Sequence, residues 1–251
     1  MENQPLVSVI MPCFNMEKYI ADSIESVKQQ TYPYWELLIV DDASTDGTVA
    51  IIEKYCQQDH RIHCTVKPKH SGIADSRNQC LKMAQGQYLA FLDADDIWHP
   101  KKLEIQLLFM AEKRAGFSYS SYDCIDENGQ PLNKIFKTAG NLDYDAYLQN
   151  TIIGCSTVMV DKDLVGEIVV PNFRTSEDTA TWLDILKNGH LAQAIDEPLV
   201  SYRIRRKSAS SNKFKASYDL WTVYRRHEYI PFFKAVKYFS SYAFNAIKKR
   251  L

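Results

Sequence analysis

FLDADDIWHP (residues 91–100) is an apolar run that ends in three carboxylates within four positions, Asp93, Asp95 and Asp96. The run reads as a buried strand and the acids as its strand-end loop, the place where parallel sheets bind their ligands. Carboxylates spaced D-x-D on a tight turn offer hard oxygen ligands to Mg2+ or Mn2+ and leave coordination positions for phosphate. An acidic turn that caps the next helix through Asp95 or Asp96 accounts for the same residues.

Upstream of this stretch, short β-branched runs alternate with segments of helical period, the pattern of βαβ units stacked on a parallel sheet. Strands are expected at 7–11, 35–40, 61–66 and 88–92. Ile20, Ile24 and Val27 share one helix face, and Ile73, Ala74, Arg77 and Leu81 begin another, with Gly86 expected to close it in left-handed geometry. Downstream, a helix at about 100–114 leads to a strand, a turn at 127–129 and a return, so the βα alternation ends there. A strand at 155–160 then precedes a helix at 176–189, with Ser176 as its N-cap and Gly189 as its stop.

The chain has 251 residues, enough for one main domain, and carries neither a low-complexity tract nor a repeat. The N-terminus lacks the basic and apolar regions of a signal peptide, and no stretch nears the roughly 18 apolar residues of a membrane span, so a cytoplasmic protein is expected. Six scattered cysteines with no C-x-x-C pair read as buried free thiols. The net charge of −1 hides an asymmetry: residues 203–251 hold 13 Lys or Arg against 2 acids, and the rest 17 against 29. Such a basic end points to an anionic partner, either membrane headgroups or nucleic acid.

Other strand ends carry chemistry of their own. Asp41 and Asp42 follow an apolar strand, where a carboxylate accepts from a base N–H or a ribose hydroxyl, or else caps the turn near Asp46. Ser71-Gly72 ahead of a helix bearing Arg77 offers backbone N–H groups and a guanidinium, while His70 reads as a plain loop histidine. Glu177 and Asp178 sit where first-turn acids complement a helix dipole. No G-x-G-x-x-G, G-x-x-x-x-G-K-[ST] or G-x-S-x-G motif occurs, which removes the main support for dehydrogenase, P-loop and hydrolase readings.

Taken in order, VSVIMPCFN, SIESVKQQTYPYWELLIVDDASTDGT, SGIADSRN, FLDADDIW and SEDTATWL resemble the family 2 glycosyltransferases over residues 7 to about 210. The resemblance implies an α/β GT-A fold, with a Rossmann-like, mostly parallel central sheet flanked by helices and a C-terminal helical extension. It implies an inverting, metal-dependent transfer of sugar from a nucleotide diphosphate donor, UDP-linked, to a saccharide acceptor. YRIRRKSASSNK (202–213) resembles the tail of bacterial members that build O-antigen, capsule or teichuronic-acid-type polymers, which implies a lipid-linked, undecaprenyl-diphosphate acceptor.

Carried over residue by residue, the likeness implies that Pro12 and Asp42 line the uracil pocket and that Arg77 contacts the nucleotide. Asp93 and Asp95 would hold ribose and a Mn2+ or Mg2+ ion, with Asp96 sharing the metal. Asp178 would be the general base taking the acceptor hydroxyl's proton, as inversion requires, and Glu177 and Trp182 would bind the acceptor, with Trp182 lining its pocket. Three departures stand out: Ala43 where the family has Gly, His70 where it has Asn, and Arg205 where it has His. A cation at 205 would contact phosphate directly or change the metal shell.

The resulting division is residues 1–110 for the nucleotide sugar, 111–205 for the acceptor and the base, and 206–251 as a basic, aromatic tail of two amphipathic helices parted near Pro231. That tail either docks on a membrane or packs on the catalytic domain with its charges solvated. Two other functions compete. A nucleic-acid-binding module would use the tail but leaves DADD and SEDTATW unexplained, so no nucleic acid partner is expected. A nucleotidyltransferase would need a Gly-rich basic loop where PCFNMEKYI stands.

Overall fold

The computed structural model describes residues 4–205 and 213–248. The chain runs β1 (Val7–Cys13), α1 (Ile20–Lys28), β2 (Trp35–Asp41), α2 (Thr48–Gln58), β3 (Ile62–Val66), α3 (Ile73–Met83) and β4 (Tyr88–Phe91). It continues through β5 (Ile97–Trp98), α4 (Lys102–Lys113), β6 (Phe117–Ile125), β7 (Pro131–Phe136), α5 (Tyr144–Gln149), β8 (Met159–Asp161), α6 (Lys162–Val165), α7 (Glu177–Lys187) and β9 (Ala192–Arg203). The tail supplies α8 (Lys213–Thr222), a π-helical turn (Val223–His227) and α9 (Phe232–Lys248).

One sheet in the order β3-β2-β1-β4-β8-β6-β9-β5 spans the domain, with β7 added beside β6. The first four strands are mutually parallel, as their βα spacing predicts. Beyond β4 the sheet is mixed: β8 is antiparallel to β4 and β6, β5 is antiparallel to β9, and β6 runs parallel to β9. The parallel half is the expected Rossmann-like sheet, and in the other half parallel and antiparallel pairs mix, with β6 and β7 joined as a hairpin.

Both faces of the parallel half are covered, which is why its strands are apolar at successive positions instead of alternating. Ile10, Leu38, Val40, Leu89 and Phe91 face one core, with Phe117, Leu183 and Tyr224; Val9, Met11, Leu37, Ile39 and Ala90 face the other, with Ile24, Trp35 and Leu103. Each such side chain, once fully buried, contributes about 1.5–3 kcal/mol. All six cysteines are free, and Cys13, Cys80, Cys124 and Cys155 are buried. Among the described residues no helix is long and apolar enough to cross a membrane.

Register carries the strand ends to one edge. Pro12 pairs with Val40 and Cys13 with Asp41, so the end of β1 lies beside Asp42. Asp41 turns inward, accepting from the Ser44 N–H at 2.8 Å, and leaves Asp42 to face the crevice. Ala43, the next residue, sits at φ 63°, left-handed geometry in which glycine is unstrained and which explains why a glycine suits this turn.

Two local expectations need correction. Ser176 occupies the N-cap position of α7 at φ 70° but makes no side-chain cap, leaving the first-turn amides to the acids beside them. Gly86 is not a left-handed helix stop, since α3 ends at Ala84 with extended geometry. Its constraint is space: a Cβ there would lie 2.5 Å from the Leu6 carbonyl oxygen and 2.8 Å from the Ser8 amide nitrogen, both backbone atoms. Gly86→Ala should therefore destabilise the fold by about 1–3 kcal/mol, the usual cost of overpacking, read as a lower midpoint in urea denaturation.

Candidate active site

The strand ends open into a cavity of about 710 Å3. One wall comes from the ends of β1, β2 and β4 with Pro12, Asp42, Asp93 and Asp95, and from α3 with Ser76 and Arg77. The facing wall is built by residues 151–157 and 174–178, which include Glu177 and Asp178. Tyr122, Tyr202 and Arg205 close the side between them.

Asp42 is 1% exposed and fully engaged. Its oxygens accept from the Ser71 N–H at 2.9 Å and the Gly72 N–H at 2.7 Å, and Lys67 Nζ lies 2.8 Å away. Burial opposes its charge, but these bonds win and hold the carboxyl below its ordinary range. The residue thus fastens the 70–72 loop to the end of β2. His70 is more than a loop histidine: its Nδ1 lies 2.8 Å from Asp42, and its ring packs on Phe14 with centroids 4.4 Å apart, making an aromatic lip.

Arg77 lies at the centre, 2% exposed. It donates to Asp93 Oδ1 at 2.9 Å and to Glu177 Oε1 at 3.1 Å, joining the two walls of the cavity. Burial opposes the guanidinium charge, yet the anionic neighbours Asp93, Glu177 and Asp178 hold its pKa above the ordinary arginine value. The nearby Cys155 thiol is itself pushed up by burial and stays neutral, so the carboxylates are the effective partners.

The acids on α7 respond in the opposite sense. Burial raises Glu177 to about 7, with Arg77 opposing the rise and Asp178 adding to it. Burial also raises Asp178, again against Arg77. Asp178 Oδ1 accepts from the Thr179 N–H at 2.6 Å. A partly exposed carboxylate in a pocket wall, with its proton affinity raised, suits a general base.

The DADD turn divides its three acids. Asp93 pairs with Arg77, and Asp95 Oδ2 is ion-paired with Arg205 at 2.5 Å. Burial raises the Asp95 carboxyl, Arg205 opposes this and Asp93 adds to it. Asp96 does not join them at the cavity: it is 1% exposed, accepts from Ser156 Oγ at 2.6 Å and from the Arg203 N–H at 2.9 Å, and so ties β4 to β9 from beneath. Its expected share in metal binding is corrected accordingly, since its oxygens are spent on structure and burial pushes its pKa well up. The remaining donor set fits a hard divalent cation: two cavity-lining carboxylates whose mutual repulsion and burial a cation would relieve.

Trp182 also needs correcting. It is 1% exposed and wedged edge-on against Phe91 with centroids 5.0 Å apart and beside Phe117 at 5.4 Å, so it supports α7 from the core instead of lining the cavity. It lies on the apolar face of its helix, one turn past Asp178, and that face turns inward.

Several contributors had no sequence signal. Ser156 donates to Asp96 and accepts from the Asp93 N–H at 3.0 Å, while its carbonyl receives Trp98 Nε1 at 2.9 Å. Beneath it, Lys102 is fully buried over the Trp98 ring and bonded to Gln106, and burial lowers its pKa to about 7. Gln106 in turn donates to the Thr157 carbonyl at 3.1 Å, which fixes the cavity floor. Arg203 reaches Asp22 of α1 at 2.9 Å. Apart from the local Lys102 contacts, these pairings join residues 50 or more positions apart and follow no spacing rule.

The family model described as Glycosyl transferase family 2 matches residues 8–164. A Bacillus subtilis protein described as the putative teichuronic acid biosynthesis glycosyltransferase TuaG is 49% identical over 248 residues, 99% of this chain and 98% of that one. The Escherichia coli UDP-Glc:alpha-D-GlcNAc-diphosphoundecaprenol beta-1,3-glucosyltransferase WfgD is 40% identical over 220 residues, covering 87% and 85%. Among solved structures, Staphylococcus aureus TarS 1-349 in complex with UDP-GlcNAc superposes with a TM-score of 0.72 at 23% identity, over 87% of this chain and 64% of that one, so this chain spans less than two thirds of its length. The mannosyltransferase PcManGT of Pyrobaculum calidifontis, in complex with GDP-Man and Mn2+, gives 0.69 at 19% identity, over 92% and 66%. At these identities both share the fold.

The raised Glu177 carboxyl has a measurable sign. Native Glu177 keeps its proton up to about 7 whereas the unfolded chain releases it near 4.5, so ionising it costs native stability across that interval. The stability of Glu177→Gln relative to the parent should rise between those pH values and level off above them, read by urea denaturation at stepped pH. Parallel pH profiles would contradict the assignment.

Proposed function

The chain belongs to glycosyl transferase family 2, has the GT-A fold and is a glycosyltransferase; on that premise we propose that it moves a sugar from a UDP-sugar to a lipid-linked saccharide acceptor, with inversion, in bacterial surface polysaccharide synthesis. One observation carries this reading: a single guanidinium, Arg77, bonds both the strand-end acid Asp93 and the helix acid Glu177, which brings donor-side and acceptor-side carboxylates to one cavity. UDP and the polysaccharide context are supported by the names of the B. subtilis and E. coli relatives, and the diphosphoundecaprenol acceptor by the latter.

In this mechanism the base lies against the Phe14–His70 lip near Pro12 and Asp42, and residues 1–110 bind the donor. Asp93 and Asp95 would hold Mn2+ or Mg2+, which on binding supplies Lewis-acid stabilisation of the departing diphosphate. Arg205, which its ion pair with Asp95 holds at the cavity, would contact the diphosphate and supply a positive charge there, one of the two roles expected of a cation at this position. Asp178 accepts the proton of the attacking acceptor hydroxyl from the face opposite the leaving group, because displacement with inversion needs one base and no protein nucleophile. Glu177, anchored by Arg77, holds the first turn of α7 and the acceptor wall in place. Residues 111–205 thereby present acceptor and base.

The tail has both of the faces its sequence allowed. Ala235 and Tyr238 of α9 are buried in the core, and Tyr224 OH of the preceding turn donates to the Leu148 carbonyl. Phe233 at 87% exposure, Val236 and Phe244 at 69% form the opposite face, alongside Lys234 and Lys237. That composition supports peripheral docking of residues 206–251 on an anionic membrane, where the acceptor's lipid would be anchored. Residues 206–212, within the basic stretch YRIRRKSASSNK, lie outside the described residues.

The test is turnover of a UDP-sugar panel on a sugar-diphosphate-lipid acceptor with Mn2+, with the anomeric configuration of the product read by NMR. The product should have the configuration opposite to the donor's. Asp178→Asn should lower kcat by about 10²–10⁴-fold while UDP binding persists. Asp95→Asn should abolish the metal-dependent thermal stabilisation by UDP, worth about 2.7 kcal/mol at a hundred times Kd. A retained configuration, or an unaffected Asp178→Asn, would overturn the proposal.

A further inference from the structure

The tail meets the catalytic domain at a second group of ligand-type side chains, outside the donor cavity. The π-helical turn ends in His227, followed by Glu228, and both lie against Asp184 of α7. His227 Nε2 is 2.9 Å from each Asp184 oxygen and 3.8 Å from Glu228 Oε1. One ligand atom from each of the three residues fits within a 4.8 Å span.

An ordinary Asp–His hydrogen bond explains the first contact and leaves Glu228 unexplained. The Glu228 side chain is 0% exposed. Its Oε2 is held by Tyr144 OH at 2.5 Å and Lys187 Nζ at 3.0 Å, whereas Oε1, the oxygen turned toward His227, has no hydrogen-bond partner. A buried carboxylate oxygen without a donor is costly unless something else satisfies it. Tyr144 and Lys187 act as outer partners that fix the carboxylate and aim its free oxygen, the arrangement typical around metal ligands. The ring of Phe173 packs edge-on to His227 with centroids 5.7 Å apart and limits its rotation.

We propose that Asp184, His227 and Glu228 bind a divalent transition ion, Zn2+ by preference, which pins the tail to α7. One imidazole nitrogen with two carboxylates is a borderline donor set suited to Zn2+, unlike the all-oxygen set of Asp93 and Asp95. Ligand atoms about 2.1 Å from a tetrahedral ion stand about 3.4 Å apart, and the observed 2.9 and 3.8 Å bracket that spacing. The fourth position is left to water. Because α7 begins at Glu177 and carries Asp184 two turns later, the ion would lock the helix that presents the acid pair. The site is independent of what the donor cavity binds.

The experiment uses the full chain, stripped by chelator and titrated with Zn2+ alone, with bound metal measured by equilibrium dialysis and stability by thermal melting. The expected result is one Zn2+ per chain at micromolar Kd, retained in Asp95→Asn, with a rise in Tm. Glu228→Gln and His227→Asn should each weaken binding by about 10–100-fold and lose the rise. His227→Asn keeps an N–H facing Asp184, so it separates ligation from the hydrogen bond, and Glu228→Gln reads the same site if that variant fails to fold. Absence of micromolar binding, binding unchanged in both variants, or binding lost in Asp95→Asn alone would overturn the proposal.

Discussion

The structure depends on one buried cation. Arg77 sits 2% exposed among Asp93, Glu177 and Asp178, and without its charge three carboxylates would have to share a poorly solvated space. Its two ion pairs reach a strand end, Asp93, and a helix start, Glu177, that lie far apart in the chain, so the same interaction that makes burial tolerable also closes the cavity. The protein tolerates this because the surrounding frame is rigid: the parallel strands are covered on both faces, and Trp182 braces α7 from below.

A second layer of buried polar groups supports that arrangement. Asp96, Ser156 and the Arg203 backbone link β4, the 155–157 turn and β9, while Lys102 and Gln106 carry the link down to α4. Each member has its partner, which is the condition under which a buried polar network rigidifies a fold instead of weakening it. Asp95 is left as an acid ion-paired with Arg205, two residues past the end of the last strand. A metal and a diphosphate bound there would change charge at the cavity mouth with the floor unmoved.

How far the sequence could be read depended on the range of each interaction. The parallel strands and their order of motifs were legible, because apolar runs and strand-end polar residues are local patterns. Asp42, Arg77, Asp93, Asp95, Glu177 and Asp178 do meet at one cavity, as the ordered motifs implied. Asp96 and Trp182 were placed wrongly for one reason: adjacency in sequence does not say which way a side chain turns, and a turn or a helix alternates faces within one or two residues. Gly86 was misread because a backbone approaching from Leu6 and Ser8 leaves no trace in the local sequence. His70 and Arg205 looked like departures, and their partners, Asp42 and Asp95, are residues the family pattern already singled out.

The central claim is that Arg77 and the α7 acids form one electrostatic unit. It is tested most directly by a double-mutant cycle of Arg77→Met and Glu177→Gln on unfolding free energy at pH 8. Arg77→Met alone should cost about 3–5 kcal/mol, because it strands buried carboxylates, and removing Glu177 as well should recover more than about 1 kcal/mol of that loss. Strict additivity of the two substitutions would contradict the account.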